Sequence, residues 1–161
     1  MADFGPAFRF LLPHEGGYVN DLDDDGGETK YGISKRQYPT LDIANLTQED
    51  AASIYQRDYW NSQPYCYIQD QNVANKVFDL AVNMGFKKAH EILQRSANEC
   101  GARIVVDGRL GPLSLQAVNS VDPSALLEQM RQFAGRYYLE IVARNPAKQK
   151  FLNGWMKRAN A

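Results

Sequence analysis

The sequence predicts a mainly α fold with a small β-hairpin element near the N-terminus, and three observations carry that expectation. Apolar residues return at i, i+3 and i+4 in one stretch after another from Phe4 onward, the pattern of helices with one buried face. Helix-starting and helix-stopping residues stand where those stretches begin and end. Short runs of β-forming residues broken by glycine are confined to positions 18–33.

Taken in order, Phe8, Leu11 and Leu12 repeat at helical spacing over Phe4 to Leu12, and Pro6 suits the first turn. Pro13 has no amide donor, so it bends or stops that helix close to Glu15. Tyr18-Val19 and Lys30-Tyr31-Gly32-Ile33 follow as two candidate strands around a turn at Asp25-Gly26-Gly27. Thr47 is the expected cap of the next helix, with Asp50 three residues on to return a hydrogen bond, and Ala51, Ile54, Tyr55 and Asp58 share one face. Val73, Val77, Leu80, Ala81 and Met84 line the most regular helix, which Gly85 stops. Lys87 to Cys100 is another helix, closed by Gly101. Asp107-Gly108 marks a turn, and Gly111-Pro112 opens the helix behind it. Asp122 caps a long helix with Pro123 in its first position and Leu126, Met130, Phe133, Ala134, Tyr137 and Ile141 on its buried face. The segment Gln149 to Ala159 closes the chain, and no repeat or low-complexity linker divides it.

A chain of 161 residues, 44% of them hydrophobic, is long enough to bury most of its apolar surface as one domain. Its formal net charge of −1 gives no global pull toward nucleic acid or anionic membrane, although Arg131, Arg136, Arg144, Lys148, Lys150, Lys157 and Arg158 collect positive charge in the C-terminal half. No nucleic-acid partner is expected. Cys66 and Cys100 make no disulfide framework and fit synthesis in a reducing compartment. The first apolar run is too short for a membrane span and has no basic stretch before it. The expectation is therefore synthesis in the cytoplasm without a signal peptide, no stable membrane insertion, and release by another agent if the protein acts outside.

The stretch HEGGYVNDLDDDGGETKYGIS, residues 14–34, carries the chemistry. Asp21, Asp23, Asp25 and Gly26 have the opening spacing of a calcium loop, but the twelfth position, where a bidentate Glu belongs, is Gly32. A glycosidase site fits better. Such a site needs one carboxylic acid that donates a proton to the leaving oxygen and a second polar group on the other face of the sugar. Glu15 lies where an apolar helix ends, beside Leu12 and near Tyr18, and burial there would favour its protonated form. Asp24 lies in a polar, glycine-flanked turn and is expected to stay ionised, with Thr29 able to help it hold a water. Gly16, Gly17, Gly26 and Gly27 would let the backbone approach a polysaccharide closely. The bland alternative is a helix-end surface charge followed by a solvated acidic loop.

These residues resemble the N-terminal signature of the glycoside hydrolase family 108 lysozymes, the N-acetylmuramidases found as phage endolysins and in bacterial genomes. That signature pairs E-G-G-Y, here Glu15 to Tyr18, with an acidic turn, here Asp24 to Gly27, then T-x-x-G-I at Thr29 to Ile33 and D-x-A-V-N-x-G at Asp79 to Gly85. The segments Asp107 to Val118 and Gly154 to Arg158 are similar to the peptidoglycan-binding region usually paired with it. The resemblance implies a lysozyme-like fold, with a catalytic part at about 1–98 and a peptidoglycan-binding-like helical part at about 99–161 within one domain. It implies a monomer that binds peptidoglycan glycan strands and hydrolyses the β-1,4 bond between N-acetylmuramic acid and N-acetylglucosamine, with no cofactor and no metal. Glu15 takes the place of the catalytic acid; Asp24, nine residues on, and Thr29, at one position short of the usual spacing, take the places of its partners. Asp25 stands where a proline is common, which leaves Asp23, Asp24 and Asp25 all eligible as the second group. The resemblance also implies an enzyme that waits in the cytoplasm until a membrane lesion admits it to the wall.

Other chemistries fare worse. Cys66 would need a paired histidine to act as a nucleophile, and only His14 and His90 exist; a packed small side chain is the simpler account. Two isolated histidines do not make a zinc site. Asp79 and Asn83 share a helix face, and Asn83 is expected to bind substrate by meeting an N-acetyl group in the cleft, with a bridge between helices as the alternative. Tyr18, Gly27 and Tyr31, beside the acidic turn, are the expected sugar contacts, whereas Trp155 suits a core better. A non-catalytic peptidoglycan-binding or secretion-associated protein remains the alternative.

Overall fold

The computed structural model describes residues 1–20 and 27–161. Helix α1 (Phe4–Leu11) buries Ala7, Phe8 and Leu11, and Pro13 then tightens the chain into a 3-10 turn over Leu12–His14. That turn ends with Glu15 in extended backbone, its amide donating to the Leu12 carbonyl at 3.2 Å. Glu15 thus follows directly on a short hydrogen-bonded turn.

Strands β1 (Val19–Asn20), β2 (Glu28–Lys30) and β3 (Ile33–Ser34) form an antiparallel sheet in that order. Thr29 pairs with Val19 on one side and Ser34 on the other. The sequence places Lys30 to Ile33 in one strand; instead Tyr31-Gly32 is the two-residue turn between β2 and β3, with Lys30 paired to Ile33. Both turn residues have positive φ, 53° and 77°, as the hairpin geometry that matches strand twist requires. Gly32 takes that conformation freely, and the Tyr55 hydroxyl holds the Tyr31 carbonyl at 2.9 Å. The predicted turn at Asp25-Gly26-Gly27 lies outside the described residues except for Gly27, whose φ is 62°.

Helix α2 (Gln48–Tyr55) starts at the predicted reciprocal cap: Asp50 N donates to Thr47 Oγ1 at 3.1 Å and Thr47 N to the Asp50 carboxylate at 3.0 Å. Helix α3 (Gln71–Met84), capped by Asp70, is buried almost all round from Val73 to Ala81, not along one stripe. Helices α1, α4 (Phe86–Glu99) and α6 (Pro123–Arg144) pack around it, which forces Lys76 and Asp79 into the interior. Helix α5 (Pro112–Ser120) leans on α4.

Helix α7 (Gln149–Asn160) folds against α6, where Leu126, Met130 and Ala134 are buried as the sequence predicts and the face shifts only beyond them. Tyr138, not Tyr137, is the fully buried aromatic, because Trp155 of α7 stacks on it with ring centroids 5.3 Å apart. Phe133, Tyr137 and Ile141 are only partly buried. One cluster of buried apolar residues runs from Ala2 to Ala159. Among the described residues no helix is long and apolar enough to cross a membrane.

Candidate active site

Glu15 stands where three elements meet. Its side chain is 15% exposed, and Arg158 Nη2 of α7 donates to its Oε1 at 2.5 Å. The β2–β3 turn closes over it so tightly that a Cβ built on Gly32 would lie 2.5 Å from the Tyr55 hydroxyl and closer still to Glu15 Oε2. The site therefore departs from the apolar wall expected of Leu12 and Tyr18. The carboxyl is partly buried, but its neighbours are a guanidinium and a phenol. Tyr18 is 47% exposed and donates to Glu28 Oε1 at 3.0 Å. The physical reason is long-range: Arg158 is 143 positions away and no local pattern announces it.

Arg158 is itself set between two carboxylates. Its Nε lies 3.4 Å from Asp79 Oδ1, an ion-pair distance without hydrogen-bond geometry. Burial alone would lower the proton affinity of the guanidinium; the charges of Asp79 and then Glu15, with the Glu15 hydrogen bond, more than offset it and the net shift is upward. Asp79, fully buried, also meets His14 Nδ1 at 2.9 Å, and among the described residues its Oδ2 has no partner. His14 thus turns away from Glu15, its neighbour in the chain, toward α3. Burial, then the charge of Glu15, pushes the Tyr55 phenol above its ordinary range, so it remains a donor to Tyr31.

The other predicted site residues divide. The Thr29 hydroxyl, on β2, donates to the Gly27 carbonyl at 3.3 Å. Tyr31 is half-buried at the turn with the Lys30 ammonium 5.7 Å from its ring centre. Asn83 is exposed, and its Oδ1 accepts from the Tyr138 hydroxyl at 2.6 Å, so it bridges α3 to α6. Asp24, with Asp23 and Asp25, lies outside the described residues, as do Asp21 and Gly26 of the calcium-loop spacing. Neither histidine serves Cys66: His14 faces Asp79, and His90 sits between the Tyr65 hydroxyl at 2.9 Å and the Gly108 carbonyl at 3.0 Å.

Arg158, Asp79, Tyr55 and Gly32 had no assigned role in the sequence. Gly32, Asp79 and Arg158 left a trace as members of the T-x-x-G-I motif, the D-x-A-V-N-x-G motif and the Gly154–Arg158 segment, but nothing local joins the three to Glu15.

Residues 8–85 match the family model described as Glycosyl hydrolase 108, and residues 88–160 match the one described as Predicted Peptidoglycan domain. Among solved structures the chain is similar to SagA of Brucella abortus, at 23% identity and a TM-score of 0.76, covering 98% of this chain and 89% of that one. No curated protein matches. The likeness to SagA shows the fold over nearly the whole length, a mainly α, lysozyme-like arrangement with its small sheet near the N-terminus. The two matched regions meet where α3 gives way to α4, and the Arg158–Glu15 pair joins one to the other.

Proposed function

The chain belongs to the Glycosyl hydrolase 108 family through residues 8–85 and carries a predicted peptidoglycan domain over residues 88–160, and we propose that it is a muramidase cutting the β-1,4 bond between N-acetylmuramic acid and N-acetylglucosamine. The two regions together make it a glycoside hydrolase with peptidoglycan as its binding partner. The finer reading rests on one observation: a partly buried carboxyl, Glu15, anchored through one oxygen and enclosed by a turn that leaves no room for a side chain at Gly32. Glu15 protonates the glycosidic oxygen as the bond breaks. Asp24, or Asp23 or Asp25 beside it, aided by Thr29, positions water or stabilises the oxocarbenium-like state from the opposite face. A carboxyl separation of roughly 6.5–9.5 Å admits that water and inverts the anomeric centre, whereas about 5 Å gives retention. In this reading the protein is an endolysin-type monomer that acts on the wall after leaving the cytoplasm.

The test is release of reducing ends from purified peptidoglycan by wild type and by Glu15→Gln. A lost general acid costs about 10²- to 10⁴-fold in rate. Equal rates for the two proteins would remove Glu15 from its role. Wild type that sediments with cell walls and releases no reducing ends would favour a binder without chemistry.

A further inference from the structure

We propose that Arg158 is a positioning residue for Glu15, so that the last helix of the predicted peptidoglycan domain completes the active site of the hydrolase region. The inference rests on the reading of Glu15 as the general acid.

The geometry that carries it begins with burial. The Arg158 side chain is 6% exposed, and taking a guanidinium out of water costs stability unless its partners are well placed. A leucine or methionine at the end of α7 would pack without that cost. Instead the guanidinium reaches Glu15 Oε1 at 2.5 Å while its Nε rests 3.4 Å from Asp79. Asp79 is fixed in turn by His14, the residue before Glu15, so both flanks of the arginine trace back to the arm that carries the acid.

The backbone of Arg158 is held as firmly as its side chain. Lys76 of α3, fully buried, donates to the carbonyl oxygens of Arg158 at 2.6 Å, Ala159 at 2.7 Å and Ala161 at 3.1 Å, the last turn of α7. Those carbonyls have no partner within the helix, and the ammonium supplies one while complementing the negative end of the helix dipole. Arg131 of α6 adds a bond to the Ala161 carbonyl at 3.2 Å. Gly135 lets the Met156 side chain lie close, 3.3 Å from where a Cβ would stand, so α7 packs tightly on α6 there. An arginine with a pinned backbone, one short bond to Glu15 and the Asp79 charge beside its Nε is closely confined, and the Glu15 oxygen bonded to it inherits that restriction. General-acid catalysis needs such restriction, because misplacement of a reacting group by about 1 Å costs on the order of 10²-fold in rate.

The test compares wild type, Arg158→Gln, Arg158→Lys, Glu15→Gln and the double variant Arg158→Gln/Glu15→Gln on solubilised glycan strands, with kcat and KM measured separately and melting temperature and cell-wall cosedimentation in parallel. The expected result for Arg158→Gln is a fall in kcat of about 10²-fold with KM changed by less than about twofold. Arg158→Lys, which keeps the charge and loses the fork, is expected between the two. In the Glu15→Gln background the arginine change is expected to cost nothing further, since it acts through the acid. Wild-type kcat in Arg158→Gln, a loss confined to KM, or an equal further loss in the double variant overturns the proposal. If Arg158→Gln does not melt cooperatively, Arg158→Lys alone decides it: unchanged kcat overturns, a lowered kcat at unchanged KM supports. Full activity in Glu15→Gln would overturn the acid assignment itself, which is a separate outcome.

Discussion

Gly32 shows how much one missing side chain decides. At φ +77° any L-residue is strained by about 1–2 kcal/mol, and here the added methyl would also press on Glu15 and Tyr55. Neither neighbour is free to yield, since Arg158 holds the first and the Tyr31 carbonyl engages the hydroxyl of the second. Gly32→Ala is therefore expected to lower reducing-end release by at least about 10-fold through displacement of the acid, together with a loss of about 1–3 kcal/mol of stability. Activity assays beside urea unfolding check it; a variant with wild-type rate and wild-type midpoint would mean that the turn has slack. The glycine was visible in the sequence as part of a motif. Its task was not, because the task is set by atoms at positions 15 and 55 that meet it only after folding.

Among the elements, those governed by local chemistry were legible and those governed by partners were not. The Thr47–Asp50 cap, the Asp122-Pro123 start of α6 and the Gly85 stop of α3 follow from which backbone groups need partners, and they stand where the residues indicate. The Asp107-Gly108 turn was legible, but not Gln94, whose buried amide accepts from the Asp107 and Gly108 amides and donates to the Arg109 carbonyl and the Ser114 hydroxyl. On α6, Leu126, Met130 and Ala134 were legible, but the pattern points to Tyr137 where its neighbour Tyr138 is buried, because α7 covers that end. Helix α7 gets little help from its own sequence: no side chain caps its start, and Gly154 sits exposed in its middle. A Cβ there meets nothing within 4 Å. Gly154→Ala is therefore expected to stabilise the protein by about 0.5–1 kcal/mol, by reducing the freedom of the unfolded chain. Chemical denaturation measures the gain, and a shift toward lower stability would show that position 154 is not the unconstrained helix site its surroundings indicate.

At the scale of the molecule, the turn that carries Glu15, the central helix and the last helix are tied by buried charges, so global stability should carry their titration. Lys76 is the clearest case. Burial, against the opposing pull of Asp79, lowers its ammonium from an ordinary 10.5 to about 8. Between those values the unfolded chain binds more protons than the folded one, so stability rises with pH across that window. Below pH 8 both states are protonated and the cost of burying the charge is fully present; above 10.5 both are neutral and it is gone. At about 1.4 kcal/mol per pH unit the gain is on the order of 3 kcal/mol. Burial also pushes the Cys100 thiol and the Tyr55 and Tyr138 phenols up, so the wild-type curve alone does not isolate the lysine. Lys76→Met removes it while leaving those groups in place. Stability measured by urea unfolding from pH 7 to pH 10.5 should rise more steeply in the wild type than in Lys76→Met, and the two profiles should diverge progressively above pH 8. Parallel profiles would mean that the ammonium is already as well served by the α7 carbonyls as by water, and that the tie between α3 and α7 is indifferent to its charge.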